Sequence, residues 1–290
     1  MASVLIKLHT AGFSILAVLH STALLLLCKS RWELKNQKLL AVNLVLVEML
    51  YIYCMVIINS IDLSDTEYST PLHLTTVFFS TLMYTEIRMA VLHIIMDRFM
   101  EIFLNIKYPI YMSLKRMKSI VVCSWTLCAI FASAATACFA QGKIIIAHTM
   151  VDLRSLILDT VILISAVTTY SYFYSTVKKI QKRERRTSTL PNEIGSSLVI
   201  QKFKLPCFIV STYIMFNFTS TIIAKASEYA KTQEKQNLIL DISVLFAIAG
   251  FFADIFIYVL VNKNVRKFLL LKRNAPSHQR VSTQAMISQF

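Results

Sequence analysis

"LILDISVLFAIAGFFADIFIYVLVNKNVRKFLLLKR", residues 238–273, joins two kinds of helix end to end. Its first 24 residues, Leu238–Val261, carry only two charges, Asp241 and Asp254, in an otherwise apolar run. About twenty such residues is what a helix needs to cross the hydrocarbon of a bilayer. The remainder turns basic, with Val265, Phe268 and Leu269 on one helical face and Arg266, Lys267 and Lys272 elsewhere. That pattern suits a short amphipathic helix lying on a membrane surface.

Six more blocks of similar length precede this one: Thr10–Cys28, Leu39–Ile61, Leu72–Met96, Ile120–Ala140, Leu153–Val177 and Leu205–Ala224. Strict alternation of apolar and polar residues, the mark of a membrane β-barrel, is missing. Composition agrees: 56% of the 290 residues are hydrophobic and mean hydropathy is +0.60, whereas soluble domains hold roughly 45–50% apolar residues. No small-residue cleavage site follows the first block, which therefore reads as a retained span. The expected fold is all-α: a seven-transmembrane-helix bundle with the surface helix after the seventh span. It forms one domain over residues 1–272, followed by a disordered cytoplasmic tail over 273–290.

A net charge of +14 alone suggests nucleic acid. Its placement excludes that partner. The odd-to-even connections and the tail hold 23 of the 30 basic residues. By the positive-inside rule that side is cytoplasmic, so the N-terminus is extracellular and the C-terminus is inside a plasma membrane. The excess charge then faces anionic inner-leaflet lipid. All six cysteines fall inside spans, so no outside loop offers a disulfide pair. The longest inside connection contains "KKIQKRERRTSTLPNE" (178–193), which reads as a helix extension and then a flexible turn. Thr187, Ser188, Thr189, Ser277, Ser282 and Thr283 sit in basic, exposed segments as candidate phosphorylation sites. No catalytic constellation, metal cluster or phosphate loop is present, and the chain does not read as an enzyme.

"IIMDRFMEIFLNIKYP" (94–109) sets Asp97 and Arg98 side by side where the third span meets a basic loop. "NLVLVEML" (43–50) puts Asn43 and Glu48 in the second span, Trp125 stands in the fourth, and Asp254 and Tyr258 end the seventh. With these motifs in order the chain resembles a rhodopsin-like (class A) G-protein-coupled receptor over nearly its whole length. Asp97–Arg98–Phe99 resembles the family's Asp-Arg-Tyr, Asn43 with Glu48 its Asn-Leu-x-x-x-Asp, and Asp254-Ile-x-x-Tyr258 its Asn-Pro-x-x-Tyr. The departures are specific. His73 stands where the family carries a cysteine, Ala166 where the fifth span has a proline, and Asn217 and Thr219 where the sixth has tryptophan and proline. Without that proline the sixth helix is expected to keep its backbone bonds and bend less. The missing outer disulfide, the short second outer loop and Asp254 resemble melanocortin-type receptors, but Ile58, His73 and Val77 stand where their acidic peptide and metal site needs acids.

The resemblance implies roles for particular residues. Asp97 restrains Arg98 until a heterotrimeric G protein meets it, with Tyr174 and Tyr258 swinging toward the arginine; arrestin is a further possible partner. An acid at the sixth-helix partner position, near Val199, is absent, so a second restraint on Arg98 is not expected. Glu48 and Asp254 form an intramembrane polar pair. It holds either an allosteric sodium ion, the sole cofactor implied, or a shared proton. A ligand pocket is expected from Ser80, Thr81, Tyr84 and Thr85 in the third span and Asp159 and Ile162 in the fifth. Asn217, Ser220 and Thr221 in the sixth and Asp241 in the seventh complete it. Asp159 or Asp241 is the candidate anchor for a cation. A small molecule, a lipid or a short peptide is the expected ligand. The rival readings are a secondary transporter or channel, and a decoy receptor that binds but couples weakly. Transporters are built from repeats and helices broken by Gly or Pro. Four Gly, five Pro and no repeated half disfavour the transporter.

Overall fold

Where hydrocarbon replaces water, each backbone N–H and C=O must find its partner within the chain, and helices do this locally. The computed structural model describes residues 2–32, 35–63, 70–104, 107–186, 194–230 and 232–273, and these are helical almost throughout. In chain order they form α1 (Ala2–Lys29), α2 (Lys35–Leu63), α3 (Thr70–Leu104), a single turn α4 (Tyr108–Tyr111), α5 (Leu114–Ala140) and α6 (Ile144–Arg186). Then come α7 (Ile194–Thr212), α8 (Thr219–Ala226), α9 (Gln233–Phe256) and α10 (Lys263–Arg273). The candidate phosphorylation residues and the tail beyond Arg273 lie outside the described residues.

Local signals set several boundaries. Ser113 opens α5 by accepting the Arg116 amide, and Thr232 opens α9 by accepting that of Lys235. Such caps occupy amides that a helix N-terminus leaves without intrahelical partners. Between α5 and α6 the chain reverses at Gly142, whose φ of 73° is open to glycine and strained for other residues. Helix α10 begins at Asn262, whose side chain accepts the Val265 amide; Val265 is buried while Arg266 and Lys267 face out.

Among the described residues, five segments are long and apolar enough to cross a membrane: Ile6–Lys29, Lys35–Ile61, Leu114–Ala140, Phe203–Tyr229 and Gln233–Val259. The chain is thus a multi-pass membrane protein by the length and composition of its helices. Apolar side chains such as Val18, Val122, Leu127 and Ile145 stand exposed on its outer faces, as a lipid-facing surface requires. Helices α3 and α6, with 35 and 43 residues, are not among these five segments. Each carries charge mid-helix: Glu86 and Arg88 in α3, Arg154 and Asp159 in α6. At 1.5 Å per residue, α6 is about 65 Å long, roughly twice a hydrocarbon core. It starts at Ile144 rather than Leu153 because Ile144–Ile146 extend the apolar run.

Helix α3 sits at the centre, against α2, α5, α6 and α7, while α1 packs on α2 and α9 and closes the ring. The rod made of α7 and α8 departs from the regular helix expected of it. Pro206 lies inside α7, and Tyr213–Phe218 forms a π-helical turn between α7 and α8. Losing the proline at Thr219 therefore does not leave this helix regular. Its irregularity is carried by a π turn, another recognised source of helix distortion. Opposite that turn, α9 presents Gly250; a Cβ there would lie 2.8 Å from the Cβ of Phe216. A second π-helical turn, Ile257–Val261, ends α9 and carries Tyr258.

Candidate functional site

Three buried polar clusters and one cavity lie along the bundle axis. At the inner end of α3, Asp97 and Arg98 are both buried, 1% and 3% exposed. The Arg98 guanidinium forks between Asp97 and Glu101, one turn further along the helix. Tyr108, the first residue of α4, donates its hydroxyl to the second Asp97 oxygen. Asn36 of α2 donates to Tyr108 Oη at 3.2 Å and to the Met112 carbonyl at 2.7 Å, which fixes the loop after α3. Gln37, turned so that both ends of its amide are satisfied, accepts from Arg98 through its oxygen. Burial, reinforced by the Asp97 carboxylate, pushes the Tyr108 phenol above its ordinary range and keeps it a donor. A void of ≈ 20 Å³ lies beside Arg98 and Pro206, room for about one water molecule.

The middle of the bundle holds two buried carboxyls close enough to interact, Glu48 (2% exposed) and Asp254 (3%). Thr212, the last residue of α7, donates to Asp254 Oδ1 at 2.7 Å. His20 of α1 sets Nε2 3.3 Å from Glu48 Oε2 and Nδ1 3.1 Å from the Leu16 carbonyl. The Nε2 approach is misaligned, and neither Nε2 nor Oε2 completes a hydrogen bond among the described residues. This donor set fits sodium poorly. Two carboxyls and one hydroxyl face an imidazole nitrogen where a hard cation favours oxygen. Beside this cluster Glu86, 0% exposed, accepts from Ser124 Oγ at 2.6 Å, Cys128 Sγ at 3.2 Å and Asn43 Nδ2 at 3.4 Å. Trp125 in turn donates to Asn43 Oδ1 at 3.0 Å, so α2, α3 and α5 meet at one buried carboxyl.

Toward the α8–α9 connection, Arg88 of α3 meets Asp159 of α6. The Nε–Oδ1 distance is 2.9 Å and the Nη2–Oδ2 distance 3.3 Å. Tyr213, at the head of the π turn, donates to the same Oδ1 at 2.5 Å. Arg88 lies 3.8 Å above the Tyr84 ring and donates to Thr221 Oγ1 at 3.1 Å. Tyr84 and Thr221, themselves 3.2 Å apart, also line a cavity of ≈ 280 Å³.

No protein-family model matches the chain, and no curated protein matches it.

Six of the ten expected pocket residues line this cavity: Ser80, Thr81, Tyr84, Asn217, Ser220 and Thr221. The other four do not. Asp159 is consumed by Arg88 and is no free anchor for a cation. Thr85 is buried, hydrogen-bonded to the Thr81 carbonyl and to Arg154. Ile162 is core, and Asp241 lies outside the lining. Among the four expected switch residues, Asp97 and Arg98 meet. Tyr258 is 0% exposed beside Glu48 and Asp254, with its hydroxyl unpartnered among the described residues. Tyr174 does not turn inward: it is 68% exposed on α6. At Val199 the side chain lies outside the described residues. Sequence reading missed His20, Glu86 and the Arg88–Asp159 pair. The available signal was a titratable side chain within an apolar span, which demands a partner.

Proposed function

We propose that this chain is a rhodopsin-like G-protein-coupled receptor with seven spans, an extracellular N-terminus and a cytoplasmic tail. It carries a signal from the outer cavity to a heterotrimeric G protein. The carrying observation is the inner end of α3, where a buried arginine is restrained by two adjacent carboxylates, one of them braced by Tyr108. Such a pair is a two-state element: held inward, or released to a partner. Counting α3 and α6 as the remaining spans rests on their length and on Arg88 and Asp159, a mid-helix charge of each, which pair inside the bundle. The cavity and the arginine occupy opposite halves of the bundle, as transduction requires.

Basal coupling tests this without a known ligand. Wild type, Asp97→Asn, Arg98→Ala and the double variant are expressed with an N-terminal tag. G-protein dissociation is then normalised to surface copies. Asp97→Asn raises the basal signal by weakening the restraint; Arg98→Ala abolishes it, alone or combined. Equal normalised signals in all four variants would overturn the assignment.

A further inference from the structure

We propose that the outer cavity takes an uncharged small molecule, one with an aromatic or aliphatic body and hydrogen-bonding groups. The proposal rests on the receptor reading for its biological meaning, but its chemistry is independent of it. Aromatic walls come from Phe13, Tyr51, Tyr84 and Phe251. The polar lining consists of hydroxyls and one amide, among them Ser80, Asn217, Ser220 and Ser243. None of these carries charge at neutral pH.

The charged groups nearest the cavity stand behind its wall and are occupied. Arg88 directs Nε and Nη2 to Asp159, a further Nη2 contact to Thr221, Nη1 to the Tyr84 carbonyl, and its face to the Tyr84 ring. Asp159 accepts from Arg88 and Tyr213. Both are 2% exposed. A charged ligand would enter a low-dielectric space and find no unpaired counter-ion, while losing its own hydration. The Lys225–Asp152 pair flanks the lining residues Ala224 and Val151 and is mutually neutralised, and a further cation lies near. Arg154 sits 5.9 Å from the Tyr84 ring centroid and 5.0 Å from that of Phe131, outside the lining. Its hydrogen bonds go to neutral oxygens of Thr85, Ser155 and Val151. Its field disfavours a cation more than an anion, so the order of acceptance is neutral, then anion, then cation.

A cysteine placed in the cavity reads this order directly. None of the six native cysteines lines the cavity, so the native chain supplies the baseline. Ser80→Cys is the first reporter and Ala247→Cys, on α9, the second, in case one fails to fold. Each is treated with methyl methanethiosulfonate, its anionic 2-sulfonatoethyl analogue and its cationic 2-aminoethyl analogue. Rates are divided by those for a free thiol in solution. Comparing reagents on one cysteine cancels that cysteine's own reactivity. The uncharged reagent should lead each charged one by about tenfold or more, with the cation slowest. A charged reagent matching or exceeding the neutral one overturns the proposal, and so does failure of all three reagents at both positions. Neither result touches the coupling test at Arg98. Loss of coupling with the neutral preference intact would remove the receptor reading and leave the cavity's chemistry standing.

Discussion

Removing Asp159 should damage this protein more than removing Asp159 and Arg88 together. Both residues are 2% exposed, and the pair is held by two contacts at 2.9 and 3.3 Å. Asp159→Leu strands a buried guanidinium with Thr221, a carbonyl and an aromatic ring as its remaining partners. Breaking a buried pair in this way costs about 3–5 kcal/mol. The combined Arg88→Met, Asp159→Leu change removes both charges, which in other proteins ranges from neutral to stabilising by about 1–4 kcal/mol. Here the Tyr213 hydroxyl, 3% exposed, loses its acceptor, which costs about 1–3 kcal/mol. The double variant should therefore lie near wild type and above Asp159→Leu, with a coupling energy of about 2 kcal/mol or more. Interhelical hydrogen bonds within membranes average only about 0.6 kcal/mol, so a value of that size marks an ion pair. Denaturation of wild type, Arg88→Met, Asp159→Leu and the double variant in mixed micelles measures it. Additive losses, within about 0.5 kcal/mol, would refute the argument that the two charges depend on one another.

At Gly250, alanine has a better helix propensity by about 0.8–1 kcal/mol, yet its Cβ would meet Phe216 at 2.8 Å. Overpacking of about 1–3 kcal/mol should prevail, so Gly250→Ala lowers the denaturation midpoint while Gly12→Ala, 3.5 Å from Ile248, does not. Tyr108→Phe removes a hydrogen bond to the charged Asp97 and should cost about 1.5–3 kcal/mol in the same micelle assay, with a raised basal signal per surface copy.

The spans were legible because length and apolarity are local properties: a twenty-residue run states its fate without reference to any other. The boundaries of α3 and α6 were less plain, since Arg88 and Asp159 are 71 positions apart and nothing in either segment names its partner. A lone cation in one span and a lone anion in another were the only hint. For the π turn at Tyr213–Phe218 there was no hint. "YIMFNF" contains neither Pro nor Gly, and its Phe216 packs against Gly250 on α9, far away in sequence. The pocket was legible where it used hydroxyls on predicted inner faces. It failed at Asp159, where a second buried charge had claimed the residue.

The charged residues within α3 and α6 also tie the bundle together. Ligand contact at Thr221 or Tyr84 touches two groups that Arg88 also uses. Arg88 leads to Asp159, and Asp159 to Tyr213. Thr212, one residue earlier, grips Asp254, which lies beside Glu48 and one turn before Tyr258. Two adjacent residues at the head of the π turn thus hold separate polar clusters, one against α6 and one against α9. A π turn carries one more residue per hydrogen-bonded loop than an α turn, so exchanging one for the other rotates α8 relative to α7. Contact along this line does not by itself shift an equilibrium. A ligand does so only by its differential affinity for the two states. On the proposed receptor reading, a contact able to differ is one at Tyr84 or Thr221, which the cavity shares with the arginine. That places the discriminating part of a ligand at its hydrogen-bonding end and leaves its apolar body to supply affinity.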